Sequence, residues 1–174
     1  MRLKLFEITV QRLDHTARAY VVAQSQDEAR LTVIEHERLL GLNHQAITIS
    51  RFDVCIDDEL LAGLDDLLEN APVGFASFAD RWIPHIAPVQ QLKLFRTIDD
   101  KGANVFAIAP NVDVALAVFA REMRIPRDRT KLLLISDGMA DLPPSMVCNL
   151  PRLLEFGPIG AGIFDVEDRR WFVA

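Results

Sequence analysis

The chain repeats itself. Leu3-Lys4-Leu5-Phe6 recurs 89 positions on as Leu92-Lys93-Leu94-Phe95, and after the next loop the offset settles at 86. At that spacing Ala23, Asp27 and Ala29 fall on Ala109, Asp113 and Ala115, and Ile49-Ser50 falls on Ile135-Ser136. Leu64, Leu67, Leu68, Glu69, Pro72, Gly74 and Phe78 fall on Leu150, Leu153, Leu154, Glu155, Pro158, Gly160 and Phe164. Asp80-Arg81-Trp82 has its counterpart in Asp168-Arg169-Arg170-Trp171. Matches spread over a whole unit restrict the fold to two similar supersecondary plans in tandem. We therefore divide the 174 residues into a first repeat unit, 1–88, and a second, 89–174, with a seam at Pro84 to Gln91. Units this small bury little surface alone, so the two are expected to pack together as one compact body.

Each unit reads as hairpin, helix, strand, helix, strand. In the first, strands are expected at 3–10, 17–23, 46–50 and 73–78, where Leu, Phe, Ile, Val and Tyr concentrate. Ser25 and Glu28 have the spacing of a capping box, and Gly41 should stop the helix that follows near Leu40. A second helix is expected near Asp58–Glu69, with Leu60, Leu61, Leu64, Leu67 and Leu68 on one face. Strands near 92–97, 104–109, 131–136 and 159–164 repeat the plan, and a hairpin around Val166–Arg169 closes the chain. The drop in offset places a longer loop at Gln11 to Thr16 than at Asp99-Asp100-Lys101-Gly102, a tight-turn sequence. Helix 112–123 is apolar all round, which predicts burial on several sides or a homodimer contact. Pro151 requires a short or broken second helix. The fold class is α/β, mixed α+β, with mixed sheets and packed helices; strand–helix–strand links imply parallel connections.

Composition excludes several classes. With 50% hydrophobic residues, Gly 8, Pro 9 and Cys 2, the chain is globular rather than collagenous, disordered or disulfide-stapled. It holds no apolar run of about eighteen residues, so no membrane partner is expected. MRLKLFEITV alternates like a strand and lacks the apolar core of a signal peptide. Cys55 and Cys148 sit in no Cys-x-x-Cys, which points to free, buried thiols in a cytoplasmic protein. The net charge of −6 disfavours direct nucleic-acid binding.

Charge is also unevenly placed. Residues 1–88 carry eight Lys/Arg against fourteen Asp/Glu, and residues 89–174 carry eleven of each. Asp53, Asp57, Asp58, Glu59, Asp65, Asp66 and Glu69 hold much of the excess. They are the solvated face of a helix, or a surface that steers a basic protein partner by complementary field. A partner belonging to a nucleic-acid-handling complex would see them as phosphate mimics. Arg121, Arg124, Arg127, Arg129 and Lys131 form a converse cluster at a helix end, where cations complement the dipole. Trp82 and Trp171 recur at matched positions, which favours packing.

A second candidate lies at Ser136-Asp137-Gly138-Met139-Ala140-Asp141, an apolar strand ending in carboxylates. This Asp-Gly-Met-x-Asp resembles the metal-binding strand end of the alkaline-phosphatase and independent phosphoglycerate-mutase superfamily. The resemblance covers residues 131–141 alone and implies Asp137 and Asp141 as metal ligands. That superfamily supplies further Asp and His ligands downstream, whereas no His follows His85 here. Turn chemistry accounts for the same string. His15, His36, His44 and His85 lack zinc spacing, and His36 reads as a helix-surface residue. No Gly-x-Ser-x-Gly, Gly-x-x-x-x-Gly-Lys or Gly-x-Gly-x-x-Gly is present, so no cofactor is expected. The residues favour a non-enzymatic binding, adaptor or inhibitor protein acting through the acidic first unit. The alternative is a metal- or small-ligand-binding protein, or an enzyme, built on Ser136, Asp137 and Asp141.

Overall fold

In the first half of the chain, apolar residues alternate along β1 (Lys4–Gln11) and β2 (Thr16–Ala23), and the two pair as a hairpin from Lys4↔Ala23 to Gln11↔Thr16. These coordinates are a computed structural model that describes residues 2–174, with the side chains of Arg127 and Asp128 outside the described residues. The chain divides into two compact units, Met1–Val89 and Gln90–Ala174.

Unit 1 continues with helix α1 (Gln26–Leu40), edge strand β3 (Ala46–Arg51), helix α2 (Leu64–Asn70) and the hairpin β4 (Gly74–Phe78) and β5 (Trp82–His85). Its sheet runs in the order β3-β1-β2-β4-β5. The Ser25 hydroxyl caps α1 by accepting from Glu28 N at 3.2 Å. The Glu28 carboxylate reaches back to Gln24 N at 2.7 Å, one residue beyond the cap. Gly41, at φ 66, ends the helix. The strand–helix–strand crossover is present, but β1 lies between β2 and β3, so neighbouring strands in the sheet pair antiparallel.

Unit 2 contains β6 (Lys93–Ile98), β7 (Asn104–Ala109), α3 (Val112–Glu122), α4 (Arg127–Thr130), β8 (Ser136–Asp137), α5 (Leu150–Phe156), β9 (Gly160–Asp165) and β10 (Arg170–Val173). Its order, β10-β9-β7-β6-β8, is that of unit 1 once β6 is matched to β1 and the rest follow. Two five-stranded antiparallel sheets with packed helices make this a mixed α+β protein.

The tryptophans organise equivalent cores. Trp82 is buried against Leu5, Leu64, Leu67 and Leu68, and Trp171 against Leu92, Leu94, Leu150 and Leu153. Their indole N–H groups donate to Leu60 O at 2.7 Å and to Met146 O at 2.6 Å, which satisfies the polar edge of each ring.

Several expectations change. The unit 1 hairpin is longer in its strands and not in its loop: β1 and β2 have eight residues each against six in β6 and β7, while its loop, 12–15, is one residue shorter than 99–103. The second helix of unit 1 does not run from Asp58. Asp58–Leu60 is a 3-10 turn, and Gly63 at φ 76 separates it from α2. A Cβ at Gly63 would stand 3.0 Å from Trp82 O, so the chain needs glycine here for space as well as for conformation. Helix α3 buries one side, through Ala115, Val118 and Phe119, while Val112 is exposed. The strand expected at 131–136 shrinks to two residues in β8, leaving Leu132 82% and Leu134 90% exposed. Helix α5, by contrast, is short with Pro151 in its first turn, as its sequence requires.

Candidate functional site

The two sequence candidates occupy corresponding places in the two sheets. Each lies at the outer edge of the first hairpin strand, beside the short helix that follows. In unit 1, Asp53 and Asp65 line a depression of about 320 Å3 together with Arg2, Lys4 and Arg51. In unit 2, Ser136 and Asp137 line a larger concavity of about 620 Å3 with Lys93, Phe95, Met139 and Leu154. The offsets place Asp137 where unit 1 has Arg51, and Lys93 where it has Lys4.

In the unit 1 depression the charges close on one another. Arg51 donates to both Asp53 oxygens, Nε to Oδ1 and Nη2 to Oδ2, each at 3.0 Å. That bond first, and the Asp53 charge second, raise the Arg51 pKa above its ordinary value. Arg2 donates to Asp65 at 2.7 Å. These two carboxylates are therefore already answered by cations. Asp66 accepts from Asn70 Nδ2 at 2.8 Å. Asp57, Asp58, Glu59 and Glu69 are exposed and form no ion pair among the described residues. Val54 and Leu61, also exposed, lie on the same segment.

In unit 2, β8 pairs with β6 only through Phe95↔Asp137 and Arg96↔Ser136. Asp137 Oδ1 accepts from Met139 N at 2.8 Å, the expected turn bond. Arg96 ties the remaining residues together, donating to Ser136 Oγ at 3.3 Å and to Asp141 Oδ2 at 3.0 Å. Thus Asp141 is paired with Arg96. No group of three His, Cys, Asp or Glu suited to a metal is found among the described residues. Gly138 follows from close approach, since a Cβ there would stand 2.7 Å from Leu94 Cγ.

The other singled-out residues are dispersed. Arg121 donates to Glu122 at 3.0 Å and to Ala174 O at 3.2 Å. Arg124, Arg129 and Lys131 are exposed, and the Arg127 side chain lies outside the described residues. Cys55 and Cys148 are free but exposed, not buried, because both sit in connections between elements. His36 corrects the surface reading: it is 3% exposed and packs edge-on against Phe75 at 5.3 Å, while Phe75 stacks on His85 at 6.0 Å.

Sequence reasoning missed one polar cluster altogether. Glu37 is buried on α1, where Arg12 donates to it from the hairpin loop and to Asn43 O at 2.6 Å. His44 Nδ1 lies 2.7 Å from the second Glu37 oxygen. The weak signal was the position: Ala29, Val33, His36 and Glu37 form one helical stripe, ending in polar residues.

Comparison with protein-family models, curated proteins and solved structures yields no match. Among the described residues no helix is long and apolar enough to cross a membrane.

Proposed function

We propose that this is a non-enzymatic binding protein whose first unit docks a basic protein surface. The observation that carries the reading is the set of five exposed carboxylates, Asp57, Asp58, Glu59, Asp66 and Glu69, left without counter-charges among the described residues while Asp53 and Asp65 are paired with arginines. The exposed Val54 and Leu61 on the same segment supply apolar contact of the kind that polar residues rim in protein interfaces. The proposal treats the two units as copies of one ancestral plan. Equal strand order and the recurrent tryptophan support that view, while the net charge of −6 confined to residues 1–88 sets the first unit apart from the second.

The test is capture of partners from native lysate at about 0.1 M and 0.5 M salt, which bracket strong and weak electrostatic attraction at a surface. A variant with Asp57, Asp58, Glu59 and Glu69 changed to Lys serves as the comparison. A stoichiometric basic protein should be held at the lower salt, released at the higher, and absent from the variant, whose circular dichroism stays unchanged. Displacement of that protein by duplex DNA would assign it to nucleic-acid handling. Equal capture by wild type and variant would overturn the reading.

A further inference from the structure

We infer that the concavity in unit 2 is a binding site for a large apolar α-amino acid in its zwitterionic form. The inference is independent of the acidic segment of unit 1 and rests on what differs between two equivalent depressions.

The unit 1 depression is lined by three cations and two carboxylates, and its ion pairs, Arg51–Asp53 and Arg2–Asp65, link residues within it. In unit 2 both members of each pair are replaced, with Met139 standing where Asp53 would be. Gln91 stands where Arg2 would be, Pro151 where Asp65 would be, and Asp137 where Arg51 would be. What remains is a space of about 620 Å3, nearly twice that of unit 1 and inside the range of small-molecule sites. Its walls are apolar, from Leu92, Phe95, Val112, Met139 and Leu154.

Two opposite charges line this space and do not answer each other. Among the described residues, neither Lys93 nor Asp137 has an ion-pair partner within 4.0 Å. Asp137 spends Oδ1 on Met139 N, which leaves Oδ2 available. An ammonium and a carboxylate oxygen lining one apolar space match a molecule with the reverse arrangement. The ligand carboxylate accepts from Lys93 Nζ, the ligand ammonium donates to Asp137 Oδ2, and its side chain covers the wall. A simple anion would leave Asp137 facing like charge, and a simple cation would do the same to Lys93. The zwitterion satisfies both.

The experiment uses the full-length protein and four probes: L-leucine, L-methionine, 4-methylpentanoate, which lacks the ammonium, and isoamylamine, which lacks the carboxylate. Calorimetric titration and thermal shift should show saturable binding of the amino acids, with both truncated probes about tenfold weaker or more. Lys93→Met should abolish the preference for leucine over isoamylamine. Asp137→Asn, which keeps an oxygen for the Met139 N–H, should abolish the preference over 4-methylpentanoate. If a variant folds poorly, intermolecular NOEs from leucine methyl protons to Met139 and Phe95 in the wild-type protein decide the same question. No saturable binding of either amino acid at millimolar concentration overturns the inference, as does equal affinity for leucine and both truncated probes. The unit 1 charge-reversal variant should bind leucine as wild type does, so the two readings fail separately.

Discussion

Glu37 carries a full carboxylate into a helix face that otherwise packs, and its stability contribution depends on Arg12 and His44 together. Removing one member of a buried ion pair strands the other. Glu37→Ala should therefore cost about 3–5 kcal/mol in urea unfolding, whereas Arg12→Met with Glu37→Leu should cost far less. Equal losses in the two variants would show that the charges do not act as a pair. Gly138→Ala tests a different contact. Its Cβ would meet the Leu94 side chain at 2.7 Å and Leu94 O at 3.1 Å, so overpacking should cost about 1–3 kcal/mol by the same measurement. Some of this scale was legible in the sequence. Ser25, Gly41 and Pro151 announce helix ends by their own chemistry, and the matched tryptophans announced a core role. Glu37 and His36 were not legible, because their burial depends on partners distant in sequence: Arg12 is 25 residues away from Glu37, and Phe75 is on another element.

Among elements, the strand order repeats but the outer edge does not. β3 covers β1 across six residue pairs, from Phe6↔Arg51 to Gln11↔Ala46, while β8 covers β6 across two. Amides on the outer edge of β6 should therefore exchange with deuterium faster than those of β1. Comparable protection would mean that residues 131–135 pair with β6 in solution. Ser25, Glu28 and Gly41 placed the first helix of unit 1, while hydrophobic patterning identified the strands other than β5, where the seam was expected, and β8. It failed where the same residue types serve two environments. Lys131-Leu132-Leu133-Leu134-Ile135 has the composition of a strand, yet its Leu132 and Leu133 amides turn back to Arg129 O and Thr130 O, its contact with β6 is the Thr97 Oγ1 bond to Leu134 O at 3.1 Å, and two of its leucines are exposed. The break at Gly63 was hidden for a related reason. Leucine spacing continued through it, while the positive φ and the approach of Trp82 depend on tertiary packing.

For the whole molecule, the charge ledger decides behaviour in solution. The excess of carboxylates lies wholly in residues 1–88, and the isoelectric point is near 5.2. As pH falls from 7 toward that value, protonation removes the repulsion between molecules that net charge provides. Light scattering should rise steeply near pH 5.2 and fall again below it; a flat profile would show that net charge does not control association. Charge asymmetry between the halves was plain in the composition. Which carboxylates are neutralised was not, because Arg2 and Asp65 are 63 residues apart.

The two-residue β8 has a practical consequence for anyone handling the protein. A strand flank left largely without a neighbour, next to Leu132 and Leu134, is a template on which another chain can lay a strand, with the exposed Arg129, Lys131 and Asp137 as charged residues beside it. Concentrated stocks stored near the isoelectric point also lose the net repulsion between molecules, although lysine and arginine stay charged there. Slow fibrillar loss from such stocks should start at this flank of β6 rather than at the equivalent flank of β1, which β3 covers across six residue pairs.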